Sequence, residues 1–331
     1  MIFMETPEKK ETTVEPSPKH NTAPTTAPAT SSPVAPEATK KLPELVSFRN
    51  VTKSFGEGSQ SKVALENVSF VVEDLPNIGE LVTIVGPSGC GKSTLLRIIA
   101  GLQPHFPPTK GEVRVFDKPV ETPGSDRGLV DQKYSLLPNL TVVENIAFGL
   151  KLRGVPRAER RARACEWAKK VELDDCEDKY PSELSGGMQQ RVSIAATLIL
   201  EPKILLMDEP FGALDPRIRL QMQHLLIQLW SEREETVFLV THSVEEAVYL
   251  GDRVFLMADK PGRLLEIIKV PRPDGPPEIA RRQPWFIDFT QNLLRRLEEE
   301  TPTATGTTGM ASPKHQQPSS REAPNSKLQE P

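Results

Sequence analysis

The sequence predicts an α/β fold, and three observations point to it. Between about Val46 and Val270, short apolar runs alternate with longer helical stretches, the layout of a sheet covered by helices. One run, Leu81–Val85, passes through a turn carrying Gly86, Gly89 and Gly91 straight into an apolar helix with Leu95, Leu96, Ile98 and Ile99. A second, Ile204–Met207, ends on the adjacent carboxylates Asp208 and Glu209. Both place polar groups at the carboxyl end of a buried strand, the edge where doubly wound sheets bind ligands.

The ends of the chain read differently. Of its 32 prolines, 18 lie before residue 44 or after residue 270. Residues 1–45 cycle through Thr, Pro, Ala, Lys and Glu, with too few large apolar side chains to offset chain entropy, and are expected to be a disordered tail. The apolar run at Met1–Met4 is too short for a signal peptide. Residues 301–331 repeat this character. No window approaches the roughly eighteen consecutive apolar residues of a membrane span, so any membrane role must run through a partner. Cys90, Cys165 and Cys176 form no C-x-x-C pair and leave an odd thiol, which suits a reducing cytosol. A net charge of −4 gives no reason to expect nucleic acid.

Taken in order, Val46–Phe55 and Val63–Val72 read as strands of a small antiparallel sheet, followed by a surface turn over Glu73–Glu80. Gly86, Pro87, Ser88, Gly89, Cys90, Gly91, Lys92, Ser93 and Thr94 then fit G-x-x-x-x-G-K-[ST] at every fixed position, between a strand and a helix. In such a P-loop the glycines let successive N–H groups point at phosphate oxygens, and the helix start adds its positive end. Lys92 supplies a point charge for the β and γ phosphates of ATP, and Ser93 a hydroxyl for Mg²⁺. At the end of the second buried strand Asp208 is expected in the metal shell. Glu209 is then the candidate general base for the water that attacks the γ-phosphorus.

Leu184, Ser185, Gly186, Gly187, Met188, Gln189, Gln190 and Arg191, leading into an apolar helix, resemble the signature of the ABC transporter ATPases. The resemblance covers about residues 46–270, with all motifs in order. It implies a P-loop NTPase core with a small antiparallel β-subdomain and a helical signature subdomain at about 133–190. It also implies a head-to-tail dimer, in which Ser185, Gly186, Gly187 and Gln189 close on the ATP held by the P-loop of a second copy. By the same resemblance Phe55 stacks on adenine and Gln132 senses Mg²⁺ and the attacking water. Asp215, after Ala213 and Leu214, lies in the loop that crosses the dimer, and His242 is the switch histidine at the γ-phosphate. The stretch Tyr134–Leu150 would face transmembrane permease subunits, holding the chain on the cytoplasmic side of the membrane. One departure stands out: Asp131 precedes Gln132 where the family usually has an aromatic, and Lys133 follows.

Within the family, a single P-loop and about fifty residues between Gln132 and Ser185 resemble a transporter ATPase rather than a tandem or long coiled-coil relative. Residues 271–300 form a short extension in which Trp285, Phe286, Phe289, Leu293, Leu294 and Leu297 make one helical stripe. That extension resembles the nitrate/sulfonate/taurine importer ATPases, which implies a solute-binding protein as an indirect partner. The ATPase of a split exporter, or an ATP-dependent regulatory or assembly protein, remains open on sequence.

Overall fold

The computed structural model describes residues 42–133, 135–231, 233–259, 261–273 and 275–300. Residues 1–41 of the tail expected over 1–45, the tail expected over 301–331, and Tyr134 at the head of the permease-facing stretch lie outside the described residues. Strand β1 spans Glu44–Phe55 and β2 Lys62–Glu73. In β2, Leu65, Val68, Phe70 and Val72 are buried between exposed neighbours, as in a sheet with one wet face. Strand β3 (Leu81–Val85) is buried along its whole length, and helix α1 (Lys92–Ala100) follows the P-loop. Then come β4 (Lys110–Val115), β5 (Lys118–Pro119) and β6 (Arg127–Val130).

Helices α2 (Val142–Leu152), α3 (Arg157–Lys170) and α4 (Gly186–Leu198) supply the helical layer. A capping box starts α2: Glu144 N–H donates to Thr141 Oγ1, and the Thr141 N–H to the Glu144 carboxylate, satisfying two backbone donors at the helix start. The remainder is β7 (Ile204–Asp208), α5 (Pro216–Ser231), β8 (Thr236–Thr241), α6 (Val244–Leu250), β9 (Arg253–Ala258), β10 (Arg263–Lys269), α7 (Pro277–Ala280) and α8 (Pro284–Glu300).

The strands sort into an antiparallel sheet ordered β2-β1-β4-β5 and a six-stranded sheet ordered β10-β9-β3-β8-β7-β6. In the second sheet only β10 runs antiparallel to its neighbour. Side-chain alternation divides its core in two. Val82, Ile84, Leu206, Phe238, Val240 and Phe255 face α1 and the antiparallel sheet. Leu81, Val85, Met207, Leu239, Val254 and Leu256 face the helices. Phe48 stacks on Phe70 with centroids 4.6 Å apart, and Phe70 meets Phe255 edge-on at 5.0 Å, so a chain of three rings joins the two sheets.

Two expectations need correction. Strand β1 begins at Glu44, and Leu45, assigned to the tail, is only 2% exposed because its side chain enters the core beneath the antiparallel sheet. In α8, Phe286 and Leu293 are buried and Trp285, Phe289 and Leu297 pack beside them, but Leu294 is 43% exposed. Leu294 lies about 100° around the helix from Leu293, which already occupies the seam.

Replacing Phe48, 1% exposed, by Ala removes the β1 end of the ring chain and the stacking partner of Phe70. Chemical denaturation of Phe48→Ala is expected to register a loss of about 3–5 kcal/mol.

Candidate functional site

Parallel register builds the site. Val85 of β3 lies opposite Thr241 of β8, Val240 opposite Asp208 of β7, and Met207 opposite Val130 of β6. The residues that follow these strands therefore emerge side by side along one edge: the P-loop, His242, Glu209 and the Asp131–Gln132 pair. Sequence spacing alone does not reveal this row.

The P-loop is held from both sides. Gly91 adopts φ +89°, and a Cβ there would stand 2.6 Å from both the Ala64 carbonyl oxygen and Leu65 Cδ2 of β2. From the other side the turn before β10 closes in: a Cβ on Gly262 would come 1.9 Å from the Cys90 carbonyl oxygen and 2.7 Å from that of Ala64. Gly262 N–H also donates to Ala64 O at 3.2 Å, and its carbonyl accepts from Glu66 N–H at 2.9 Å. Pro87 is half-buried and Ser88 and Gly89 are exposed at the mouth, while Cys90 is fully buried below them. Burial pushes the Cys90 thiol up, against the pull of the Lys92 charge. A thiol so held is a poor nucleophile. Lys92, 5% exposed, donates from Nζ to the carbonyls of Gly86 at 2.8 Å and Pro87 at 2.9 Å, keeping the ammonium inside the loop. Thr94, two residues further along α1, is also buried.

Ser93 donates from Oγ to Asp208 Oδ1 at 2.8 Å, across 115 residues of sequence. Burial raises the proton affinity of the Asp208 carboxyl, while the Ser93 hydrogen bond and the Arg97 charge oppose the shift. Arg97 Nη2 lies 3.2 Å from Asp208 Oδ2 and 3.4 Å from Asp131 Oδ1. Arg97 escaped the sequence reading. Its signal was its spacing: four residues after Ser93, it shares that residue's helix face.

Glu209 sits in the left-handed region at φ +46°, uncommon for a side chain of its size and a form of backbone strain found at functional sites. Its N–H donates to Val240 O at 3.0 Å, which fixes it against β8. Its Oε2 accepts from Gln132 Nε2 at 3.3 Å and lies 3.6 Å from His242 Nδ1. Ser243 then caps α6 by accepting from Glu246 N–H, so His242 occupies the junction between strand and helix. Three of the predicted residues thus meet at one carboxylate oxygen. Phe55 ends β1 and packs edge-on against His105 at 5.3 Å, with Lys53 Nζ 5.2 Å from its ring centroid.

The signature lies elsewhere, at the start of α4 in the helical layer. Ser185 is exposed and accepts from Met188 N–H at 3.4 Å as the helix cap. Gly186 is half-buried, and Gly187 is buried where a Cβ would meet Ile218 Cγ2 of α5 at 2.6 Å. Gln189, expected at the phosphate of a second copy, donates from Nε2 to the carbonyls of Pro181 at 3.0 Å and Leu184 at 3.2 Å within its own chain. Its amide braces the approach to the signature. Asp215 is exposed, and its Oδ1 caps α5 by accepting from Arg217 and Ile218 N–H, both at 3.1 Å.

The glycine cradle, the lysine within it and the paired hard oxygens of Ser93 and Asp208 suit a nucleotide triphosphate with a small divalent cation. Kinship agrees. Residues 48–212 match the family model described as ABC transporter. An uncharacterised ABC transporter ATP-binding protein of Methanocaldococcus jannaschii is 47% identical over 76% of this chain and 90% of its own length. A taurine import ATP-binding protein of Rhizobium johnstonii is 46% identical, over 70% of this chain and 87% of its own. An aliphatic sulfonates import ATP-binding protein of Bacillus cereus is 42% identical, over 76% and 96%. Among solved structures, a dimeric post-hydrolysis ATP-binding cassette bound to ADP and Pi aligns with a TM-score of 0.59 and 36% identity, over 68% of this chain and 99% of that one. The chain belongs to the ABC transporter family, as one of its ATP-binding, ATP-hydrolysing domains.

Proposed function

We propose that this chain is the motor subunit of an importer of the nitrate, sulfonate or taurine type, hydrolysing ATP to energise separate permease subunits. The observation that carries the catalytic part is the convergence of Gln132 and His242 on Glu209 Oε2, beside the P-loop. The import names of the relatives carry the transport part. On this reading residues 46–270, with the strand start at Glu44 added, are the ATPase domain. Residues 271–300 cap it, and the tails are the segments 1–43 and 301–331.

Phe55 offers its ring to adenine. The loop from Gly86 to Thr94 holds the phosphates, through the backbone N–H groups of its residues other than Pro87 and through Lys92. Ser93 and Asp208 would hold Mg²⁺, with Gln132 at its edge; few protein oxygens suit a cation that keeps waters and phosphate oxygens as its other ligands. When bound, that ion neutralises charge on the β and γ phosphates. Glu209 accepts a proton from a water as its oxygen bonds to the γ-phosphorus and the bond to the β–γ bridging oxygen breaks, releasing ADP. Gln132 orients the carboxylate through its amide N–H, and His242 reaches the γ-phosphate oxygens from the end of β8.

The remaining chemistry comes from a second copy. Ser185, Gly186 and Gly187 begin α4 with backbone donors free of intrahelical partners, an anion site by construction. They stand in the helical layer, so the reading gives them to the ATP of the partner, with Asp215 on the crossing loop. Among the described residues no helix is long and apolar enough to cross a membrane. The reading therefore attaches the chain peripherally, at the cytoplasmic face, to permease subunits that receive solute from a binding protein. A cleft of about 280 Å³ between α2 and α3, lined by Leu140, Val143 and Phe148 from the stretch assigned to the permease and by Arg157 and Arg161 beyond it, offers the permease a concave surface.

Two outcomes test the site. Glu209→Gln is expected to bind ATP yet release phosphate at least about a hundredfold more slowly; near-normal turnover would remove Glu209 from the role of base. Gly262→Ala forces a Cβ into the Cys90 carbonyl and is expected to cost about 1–3 kcal/mol and to weaken ATP binding. An unchanged melting temperature together with an unchanged Kd for ATP would show that the turn before β10 does not support the loop.

A further inference from the structure

The position ahead of Gln132 is where the sequence leaves the pattern of the family it resembles, and the structure gives Asp131 two contacts. Its Oδ1 accepts the backbone N–H of Gln132 at 2.9 Å and faces Arg97 Nη2 at 3.4 Å. The same Arg97 nitrogen stands 3.2 Å from Asp208 Oδ2. One guanidinium nitrogen is therefore shared between two carboxylates. The Asp208 side chain is 5% exposed and the Asp131 side chain 35%. An aromatic at position 131 could neither attract the guanidinium as a carboxylate does nor accept the Gln132 N–H.

We propose that Asp131 is a positioning residue that draws Arg97 partly away from Asp208, leaving the Ser93–Asp208 oxygens freer to bind a divalent cation. The proposal rests on the reading of Ser93 and Asp208 as the Mg²⁺ shell. A guanidinium bound to a buried carboxylate competes with a metal ion for the same lone pairs. With Asp131 present, a cation arriving at Asp208 repels Arg97 toward a second carboxylate close by. Because Asp131 also holds the Gln132 N–H, that shift reaches the residue that orients Glu209. Cation binding and the placing of the catalytic carboxylate are thereby joined through one arginine.

The test uses ADP, so that turnover plays no part. Binding of a fluorescent ADP analogue to the full chain is followed as Mg²⁺ is titrated, for the natural sequence, Asp131→Asn, Arg97→Gln and the double variant. Asparagine keeps an acceptor for Gln132 and removes only the charge. Asp131→Asn is expected to raise the Mg²⁺ concentration for half-maximal binding about three- to fivefold, the size of a partly exposed ion pair. Asp131→Ser, which also removes the charge, should move it in the same direction, so the result does not hang on one side chain. In the Arg97→Gln background the Asp131→Asn shift should vanish, because the effect travels through the guanidinium. Unchanged Mg²⁺ dependence in Asp131→Asn would overturn the proposal. So would an equal shift in the Arg97→Gln background, which would make Asp131 a bare charge near the metal. ADP binding by the natural sequence that ignores Mg²⁺ would overturn the metal-shell reading as well, and is told apart because it appears without any substitution.

Discussion

The hydrogen bond from Ser93 to Asp208, 2.8 Å long, ties the helix behind the P-loop to the end of β7. It exists because β3, β8 and β7 lie next to one another in parallel register, so that the end of β7 comes level with the start of α1. Almost everything else at the site is referred to this link. Arg97 reaches Asp208 from one helical turn further along α1, and Glu209 follows Asp208 at once with a left-handed backbone that its bond to Val240 holds in place. Gln132 and His242 then approach Glu209 from β6 and β8, the strands on either side of β7. A break in register between any two of these strands would turn these side chains to the opposite face.

A second constraint is rigidity in the loop itself. Donors that stabilise phosphate charge do so best when they are in place before the charge arrives. Here Gly91 is pressed against β2 and Gly262 against the Cys90 carbonyl, so the antiparallel sheet and the β9–β10 hairpin together clamp the loop. The three-ring chain Phe48–Phe70–Phe255 anchors that antiparallel sheet to the parallel one. Packing at the sheet interface, well away from the nucleotide, thus sets the shape of the phosphate cradle.

What was legible in the sequence was local. Strand β3, the P-loop and α1 form a continuous segment whose pattern fixes its own conformation, and the carboxylates after Ile204–Met207 follow directly from a buried strand. What was hidden depended on neighbours far along the chain. The donation from the Gln189 amide to the carbonyls of Pro181 and Leu184 is not declared by its place in the signature. Leu45 looked like tail because nothing nearby in sequence declares the core it enters. Leu294 fitted the apolar stripe by type and missed it by one residue of helical phase. Asp131 was visible as a departure, but its meaning required Arg97, which lies 34 residues earlier.

The central claim is that each ATP is enclosed by the P-loop of one copy and the Ser185–Gly187 helix start of another. Equilibrium sedimentation of Glu209→Gln with saturating Mg²⁺ and ATP, with bound nucleotide counted in the same sample, measures this most directly. The account predicts a dimer holding two ATP molecules, which returns to monomer when Ser185→Arg is added. A chain that fills with ATP while remaining a monomer, or a dimer indifferent to Ser185→Arg, would contradict it.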